Sequence, residues 1–300
     1  MGSRLLNTLN TDEQREVPAA TPYPQRRAVN WPPRAIYRVP GMEEPKLVPN
    51  WQERVEAEPY WFLRMELPGG VVTPGWSDPA RDKLPWFGLP PDLTGMRVLD
   101  VGCAEGFFSF EAERRGASEV VSVDFDPECV KRFALCAEAF DSSNRALTMS
   151  VYDLDPARFG TFDLVMFFGL LYHLPDPVLA MQKIAALASG TVLVQSSAIE
   201  TNRLHDVSLA RFHPHGLISG PKENQIFDPT VFWEPNAACV HALLDHVDLV
   251  DIERLPGPPP TRRERLVRRL RPRKYAIWNT SVQFRARVSQ PSPGRGVTGF

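Results

Sequence analysis

The stretch that decides the fold is RVLDVGCAEGFFS, residues 97–109. Its first five residues form a short, mostly apolar run of the kind found in buried strands, and Gly102 and Gly106 favour a tight turn behind it. From Phe107 the apolar residues follow helical spacing. The stretch therefore predicts a strand, a glycine turn and a helix, with the backbone able to approach a ligand closely at the carboxyl end of the strand.

The same alternation continues towards the carboxyl terminus. A β-branched run at 119–124 precedes Asp126-Pro127, a typical helix start, and a helix that extends to about residue 140. Further strands are predicted at 147–151, 162–168, 191–195, 249–254 and 275–287, and further helices at 177–188 and 236–246. Strands that alternate with helices of this length indicate an α/β protein with a mostly parallel sheet that helices cover on both faces.

The composition of the chain divides it into segments. Of the 30 prolines, 15 lie before residue 92, which makes long regular elements improbable there. We interpret residues 1–48 as a proline-rich arm and residues 49–92 as an aromatic-rich extension that packs on the next domain as a lid. Residues 93–288 form that domain, with a polar insertion at 199–234, and the tail 289–300 is predicted to be disordered.

Charge and cysteine content exclude several classes of protein. The 34 basic and 36 acidic residues leave a formal charge of −2, which argues against a chain that binds polyanions over its whole surface. No apolar stretch approaches the ~18 residues that a membrane span needs, and the first twenty residues lack the apolar core of a signal peptide. Four cysteines without a C-x-x-C pair argue against a disulfide scaffold or a zinc ribbon. We expect a cytoplasmic globular protein with no membrane contact.

The acidic residue Asp124 indicates what kind of ligand the glycine turn would bind. Asp124 stands 24 residues after Asp100, at the tip of the second predicted strand, where a carboxylate accepts hydrogen bonds from both hydroxyls of a ribose. Ala104 occupies the middle of the G-x-G pattern and disfavours a nicotinamide oxidoreductase, and no phosphate-binding G-K-S/T loop is present. The alternatives are an ordinary strand–helix connection for the turn and a helix cap for Asp124.

These residues resemble the class I S-adenosylmethionine (SAM) methyltransferases over about residues 95–200. The likeness rests on the D-V-G-C-x-x-G loop, Asp124, Asp153 after strand three and the FDLV run at 162–165. It implies a Rossmann-like methyltransferase fold with an antiparallel final strand, SAM as cofactor and S-adenosylhomocysteine as product. By position, it implies cofactor binding by Asp100, Gly102, Cys103, Ala104, Gly106, Asp124, Phe125, Asp153, Phe168 and Gly169. Asp155 is a rival for the role of Asp153.

A narrower likeness extends over about residues 58–250. Trp61-Phe62, the segments ELPGG (66–70) and TPGWSD (73–78), and GLLYH (169–173) resemble methyltransferases related to the tRNA wobble-uridine carboxymethyltransferases and to small-molecule enzymes of natural-product pathways. Relatives often carry His where this chain has Leu63, which weakens any transfer of the substrate. Lys83 lies near the position at which a cation would hold the carboxylate of a modified SAM. The other contacts of that subgroup are not found, so ordinary SAM is favoured.

Methyl transfer from a sulfonium requires the acceptor, methyl group and sulfur in line with water excluded, and an alcohol acceptor benefits from a base. We predict His173, which follows strand four, as that base. Aromatic and polar residues are candidates for the substrate pocket and its lid: Trp61, Phe62, Lys83, Trp86, Tyr172, His213, His215 and Trp233. His213 and His215, with Asp206 nearby, could instead ligate a metal, but solvated loop histidines are the commoner outcome of such a pair and no metal is predicted.

The sequence thus predicts a SAM-dependent methyltransferase acting on a small organic molecule, with O-methylation of a natural-product or sugar intermediate as the leading hypothesis. A tRNA-modifying enzyme and a non-catalytic binding module of the same fold are the alternatives. Nucleic acid is kept as a less favoured partner because the run TRRERLVRRLRPRK (261–274) is strongly basic. Formation of a homo-oligomer is left open.

Overall fold

The computed structural model describes residues 50–201, 206–219, 226–259 and 277–289. The predicted arm 1–48, the basic run 261–274 and the tail beyond residue 289 lie outside these ranges.

A seven-stranded sheet forms the centre of the domain. Its strands are β1 (Arg97–Val101), β2 (Glu119–Asp124), β3 (Ala146–Thr148), β4 (Phe162–Phe168), β5 (Ala188–Thr201), β10 (Leu249–Leu255) and β11 (Ile277–Val288). They lie in the order β10-β11-β5-β4-β1-β2-β3. All neighbours are parallel except β11, which runs antiparallel to β5 and to β10. The predicted mostly parallel sheet with an antiparallel final strand is confirmed.

Seven α-helices accompany the sheet in the described ranges: α1 (Trp51–Ala57), α2 (Pro79–Asp82), α3 (Phe107–Arg114), α4 (Pro127–Ala139), α5 (Pro156–Phe159), α6 (Pro177–Leu187) and α7 (Ala237–His246). Four of them, α2, α4, α5 and α6, begin with the same dipeptide, Asp-Pro. In each, the Asp carboxylate accepts a hydrogen bond from a backbone N–H of the first turn, and the Pro occupies the position where no N–H is needed.

The two faces of the sheet bury separate hydrophobic clusters. On one face, Val98 and Met166 pack with α3, α4 and the aromatic extension; on the other, Leu99 and Phe167 pack with α6 and α7. This division follows from the alternation of side chains along each strand. The extension contributes Trp51 and other large side chains to the first cluster, so it shares a core with the sheet.

Two predicted elements have different bounds in the structure. The third strand was expected at 147–151 but ends at Thr148, because Ser150 caps a short 3-10 helix, Val151–Asp153, by accepting a hydrogen bond from the Tyr152 N–H. The fifth strand was expected to end at Gln195 but continues to Thr201, because β11 pairs with it along the added length.

The insertion folds into two small antiparallel ribbons. One pairs β6 (Ala210–Phe212) with β9 (Trp233–Pro235), and the other pairs β7 (Leu217–Ser219) with β8 (Ile226–Asp228). In the described part of the chain, no helix combines the length and the apolarity that crossing a bilayer requires.

Two glycines test the packing beneath the loop that follows β1. Gly106 and Gly95 both have positive φ, at 95° and 77°, but an added Cβ would lie 2.5 Å from a Phe133 ring atom at Gly106 and would meet nothing within 4 Å at Gly95. We expect Gly95→Ala to lose about 1–2 kcal/mol of unfolding free energy from backbone strain. We expect Gly106→Ala to lose about 1–3 kcal/mol more from overpacking, as measured by urea denaturation. Equal losses in the two variants would contradict this packing.

Candidate cofactor and active site

The loop between β1 and α3 has an unusual backbone. Gly102, Ala104 and Gly106 all have positive φ, and the N–H groups of Gly102 and Cys103 both donate to the carbonyl of Val123, at 2.8 and 3.1 Å. The loop is therefore held against the end of β2. Two of its three left-handed positions are glycines, as the sequence led us to expect.

Asp124 ends β2 and binds this loop directly. One carboxylate oxygen accepts from the Ala104 N–H at 2.9 Å, and the other accepts from the Asp126 N–H at 2.9 Å. Burial raises the pKa of Asp124 above its usual value. Each carboxylate oxygen retains a lone pair for a further donor, such as a ribose hydroxyl. The next residue, Phe125, is 78% exposed, and its ring offers an apolar surface at the same edge.

The two acids after β3 have different surroundings. Asp155 accepts a hydrogen bond from the Ala157 N–H at 2.8 Å and so caps α5, whereas Asp153 is exposed at the end of the 3-10 helix. Because Asp155 already has a structural role, the geometry favours Asp153 as the acid available to a ligand.

Asp100 lies beneath the loop and is only 2% exposed. It accepts from the Ser109 hydroxyl at 2.6 Å, and the Ser122 hydroxyl donates to Ser109 Oγ at 2.8 Å. Burial raises the pKa of Asp100 to about 7. This network ties β1, α3 and β2 together below the site, so Asp100 supports the loop from underneath. Its contact with a cofactor stays a prediction, as does that of buried Cys103.

The end of β4 lies beside the loop that connects β1 and α3. Phe168 packs against Phe87 and Phe108, with ring centroids 4.8 Å apart in each pair. Gly169 has a φ of 72°, and a Cβ built there would lie 3.6 Å from Gln195 Oε1 and 3.9 Å from the Tyr172 hydroxyl. Gly169 thus leaves a small space between two polar groups.

Glu105 joins the extension to the loop. Its carboxylate, fully buried, accepts from the N–H groups of Phe62 and Leu63 at 2.8 and 3.1 Å and pairs with Arg132 of α4 at 3.3 Å. Sequence reasoning missed this role, because a charged residue at a helix start is typically exposed. The contact places the Phe62 backbone next to the loop between β1 and α3.

The predicted lid residues of the extension separate into two groups. Trp61 is 3% exposed, and its indole N–H donates to the Val55 carbonyl at 3.0 Å, which favours a packing role over a lid role. Phe62 is partly buried, with Trp76 edge-on to its ring at 5.0 Å and the Lys83 ammonium 5.1 Å from its centroid. Burial lowers the pKa of Lys83 to about 8. Partly buried Trp86 follows on the same segment.

His173 ends the 3-10 helix Leu171–His173, just beyond β4. Its Nδ1 lies 2.8 Å from the Thr230 hydroxyl oxygen and 3.2 Å from the Thr230 carbonyl oxygen. Burial lowers the pKa of His173 below its usual value, which favours the neutral ring. Tyr172 packs on it with centroids 4.1 Å apart, and burial raises the Tyr172 pKa to about 12.

The insertion histidines do not act as a pair. His213 binds Glu234, which is 2% exposed, through Nε2 at 2.7 Å, and Arg211 contacts the same carboxylate oxygen at 3.2 Å. His215, two residues on, is exposed. Among the described residues, no group of three or more His, Cys, Asp or Glu side chains could hold a metal ion.

Trp233 packs on Phe212 at 4.6 Å, and its indole N–H lies 3.4 Å from the Pro175 carbonyl oxygen. The Phe232 N–H donates to the Tyr172 carbonyl at 2.9 Å. The β6–β9 ribbon therefore lies against the segment that carries His173. Thr230, Glu234 and Gln195 had no motif to mark them in the sequence, since their positions depend on contacts between distant segments.

Comparison with known proteins agrees with this geometry. Residues 78–225 match the family model described as a methyltransferase domain. The ubiquinone biosynthesis O-methyltransferase of Xanthomonas oryzae pv. oryzae is 40% identical over 98 residues, or 32% of this chain and 40% of that protein. Its counterpart in Xanthomonas campestris pv. campestris is 39% identical over 108 residues, or 35% of this chain and 44% of that protein. The chain thus spans less than half the length of these relatives.

The crystal structure of the N-terminal domain of EvdMO1 with S-adenosylhomocysteine bound is similar in fold. It has a TM-score of 0.55 at 17% identity, and the match covers 79% of this chain and 95% of that one. Residues 78–225 therefore resemble a methyltransferase domain, and the fold is similar to that of a domain crystallised with S-adenosylhomocysteine, the product that SAM leaves after methyl transfer.

The residues present fit that donor. The loop turns back on itself at Gly102 and Gly106, and Asp124 presents a carboxylate beside the exposed ring of Phe125. A carboxylate next to an apolar surface suits a ribose next to an adenine.

Glu105 gives a test of how the extension is attached. Glu105→Gln removes the charge that pairs with buried Arg132 and turns one acceptor of a backbone N–H into a donor. We expect a loss of about 3–5 kcal/mol in the unfolding free energy, measured by urea denaturation, because breaking a buried pair leaves an uncompensated charge. The control is Glu138→Gln in the exposed pair with Arg54, for which we expect at most about 1 kcal/mol. If Glu105→Gln lost as little unfolding free energy as the control, Glu105 would not be a buried, paired carboxylate as described.

Proposed function

We propose that this protein transfers the methyl group of SAM to an oxygen atom of a small organic molecule. The observation that carries the proposal is the pair of contacts at Asp124, whose carboxylate fixes the left-handed Ala104 turn of the cofactor loop and keeps acceptor capacity for a ribose. The relatives support the class of acceptor, since they are O-methyltransferases of ubiquinone biosynthesis. A second crystal structure of EvdMO1 was determined with S-adenosylhomocysteine and D-fucose present, which agrees with a small acceptor.

When bound, SAM supplies a methyl group on a positively charged sulfur, which an oxygen nucleophile displaces in line. The chain's own residues then have three tasks: to hold the donor, to orient the acceptor and to take its proton. Asp124 and the loop 102–106 would serve the first task, and Phe125 and Asp153 would hold the adenine. Phe168 and Gly169, at the end of β4, would contribute to the part of the site that receives the methyl group.

Water exclusion falls to the extension and the insertion. The N–H of Phe62 is held near the loop by Glu105, Trp86 packs against the same hydrophobic cluster as Phe62, and Tyr172 and Trp233 lie on the side of the β6–β9 ribbon. Closing an apolar boundary around the acceptor strengthens the electrostatic interactions within. Lys83, partly buried beside Phe62, gives the pocket a cation that suits an acceptor carrying a negative charge.

His173 is the group suited to take the proton from a hydroxyl acceptor. Its imidazole is neutral at neutral pH because burial disfavours the charged form. A neutral imidazole is a competent general base, because its unprotonated ring nitrogen can accept the proton of an alcohol or phenol in the transition state.

Cofactor binding is tested by Asp124→Asn in a calorimetric titration with S-adenosylhomocysteine and with SAM. We expect affinity to fall by about 1–3 kcal/mol, because the amide accepts fewer hydrogen bonds than the carboxylate. The control is Asp251→Asn, in the exposed pair of Asp251 with Arg287 on the far strands, which leaves affinity unchanged. No measurable affinity in the unmodified protein would reject the proposed function and favour a non-catalytic module.

The acceptor class is tested by transfer of labelled methyl groups from SAM to a panel of phenols and sugars, with bulk tRNA as a separate arm. We expect label in small molecules. Label in tRNA alone would contradict the proposed substrate class while leaving the donor site intact.

The pH profile with any acceptor so found tests His173. A base acts only when deprotonated, so turnover is full at neutral pH and falls as the pH drops through the His173 pKa, which lies below the ordinary value of 6.5. His173→Gln lowers turnover by roughly 10²-fold or more and removes this step from the profile. Exposed His246→Gln keeps the wild-type profile; a similar profile for both variants would exclude His173 as the base.

A further inference from the structure

The proton positions on His173 follow from its neighbours in the insertion. Nδ1 faces the Thr230 carbonyl oxygen at 3.2 Å, and a carbonyl only accepts hydrogen bonds. Nδ1 also lies 2.8 Å from the Thr230 hydroxyl oxygen. The first contact is favourable only if Nδ1 carries a hydrogen.

The Thr230 hydroxyl donates its own hydrogen to Asp228 and not to His173. It donates to Asp228 Oδ1 at 2.6 Å, and the Thr230 N–H donates to the same oxygen at 2.9 Å. A hydroxyl has one hydrogen, so with that hydrogen on Asp228 its oxygen can only accept from Nδ1. Both Thr230 oxygens therefore require the same donor.

In the neutral ring, a hydrogen on Nδ1 leaves the lone pair on Nε2. Within the described residues, no hydrogen-bond partner occupies Nε2. The Asp228 carboxylate is connected to His173 by two successive hydrogen bonds through the Thr230 hydroxyl. Its negative charge favours the protonated imidazole and so opposes the lowering of the His173 pKa by burial.

We propose that Thr230 and Asp228 are positioning residues that hold His173 with its Nε2 lone pair available to the methyl acceptor. The proposal rests on the proposed function, in which His173 is the base. It assigns the insertion a part in the reaction: the segment around residues 228–230 orients a side chain that belongs to the sheet domain.

The acceptor O–H bond breaks and its proton moves to His173 Nε2, while the oxygen forms a bond to the methyl carbon. The electrons of the carbon–sulfur bond remain on sulfur, which becomes a neutral thioether. The positive charge that leaves sulfur appears on the imidazolium, where Thr230 relays stabilisation from Asp228.

Long-range ¹⁵N–¹H NMR correlation spectra of the full-length protein, without SAM or acceptor, test the assignment directly. These spectra distinguish the two neutral tautomers of each histidine, and His173→Gln identifies the signal of His173 among the six. We expect a protonated Nδ1 and an unprotonated Nε2. A protonated Nε2 in the neutral wild-type ring would overturn the proposal.

Variants separate orientation from folding. Thr230→Val removes the hydroxyl but keeps the carbonyl, so we expect a mixture of tautomers, whereas Thr230→Ser restores the wild-type spectrum. Asp228→Asn keeps an oxygen acceptor for Thr230 and removes the charge, so we expect an unchanged tautomer and a lower His173 pKa in an NMR titration. An unchanged spectrum in Thr230→Val, with the pKa also unchanged in Asp228→Asn, would reject the positioning role.

Kinetics complete the test once an acceptor is found. Thr230→Val is expected to lower kcat about tenfold with an unchanged KM for SAM, and Thr230→Ser to recover most of the loss. Failure of the proposed function is distinguishable from failure of this inference. Absence of SAM binding leaves the predicted tautomer in place, and a wrong tautomer overturns the inference even if methyl transfer is observed.

Discussion

The buried carboxylate of Glu105 is the interaction on which the rest of the site depends. A buried carboxylate is tolerated only when its oxygens accept hydrogen bonds and an opposite charge lies nearby. Here two backbone N–H groups supply the hydrogen bonds and Arg132 supplies the opposite charge. The arrangement fixes the chain at Phe62 to the loop 102–106, which we propose binds the cofactor. The aromatic-rich extension, which has no strand or helix at Phe62, thereby forms one wall of the proposed site.

The site has two walls of different construction. The extension is joined to the sheet by apolar packing, with Phe87 against Phe168, and by the Glu105 contact. The insertion is joined by polar contacts, through the Tyr172 carbonyl and the His173 ring. Apolar packing tolerates substitutions of similar volume, whereas hydrogen bonds fix direction. The orientation of the proposed base is accordingly set by the polar contacts of the insertion, whereas the extension contributes mainly apolar boundary.

Much of the fold could be predicted because it depends on short-range rules. The glycine turn after β1, the Asp-Pro starts of the helices and the apolar strands are each written in a few consecutive residues, and the mostly parallel sheet follows from their alternation. Two bounds were wrong for different reasons. The length of β5 is determined by pairing with β11, a distant segment of the chain, whereas the end of β3 is determined by a local cap at Ser150 that the apolar pattern does not reveal.

The sequence by itself determined that Gly102, Gly106 and Asp124, the residues of the proposed cofactor site, lie together, since they occupy fixed places relative to consecutive strands and parallel strands bring their carboxyl ends to one edge. Only the tertiary structure decided how the neighbouring side chains are used. It buried Glu105 and Trp61, paired His213 with Glu234 while it left His215 exposed, and brought Thr230 to His173. Each of these outcomes depends on segments far apart in the chain, and no local propensity encodes which carbonyl or carboxylate will face a given ring once the loops are packed.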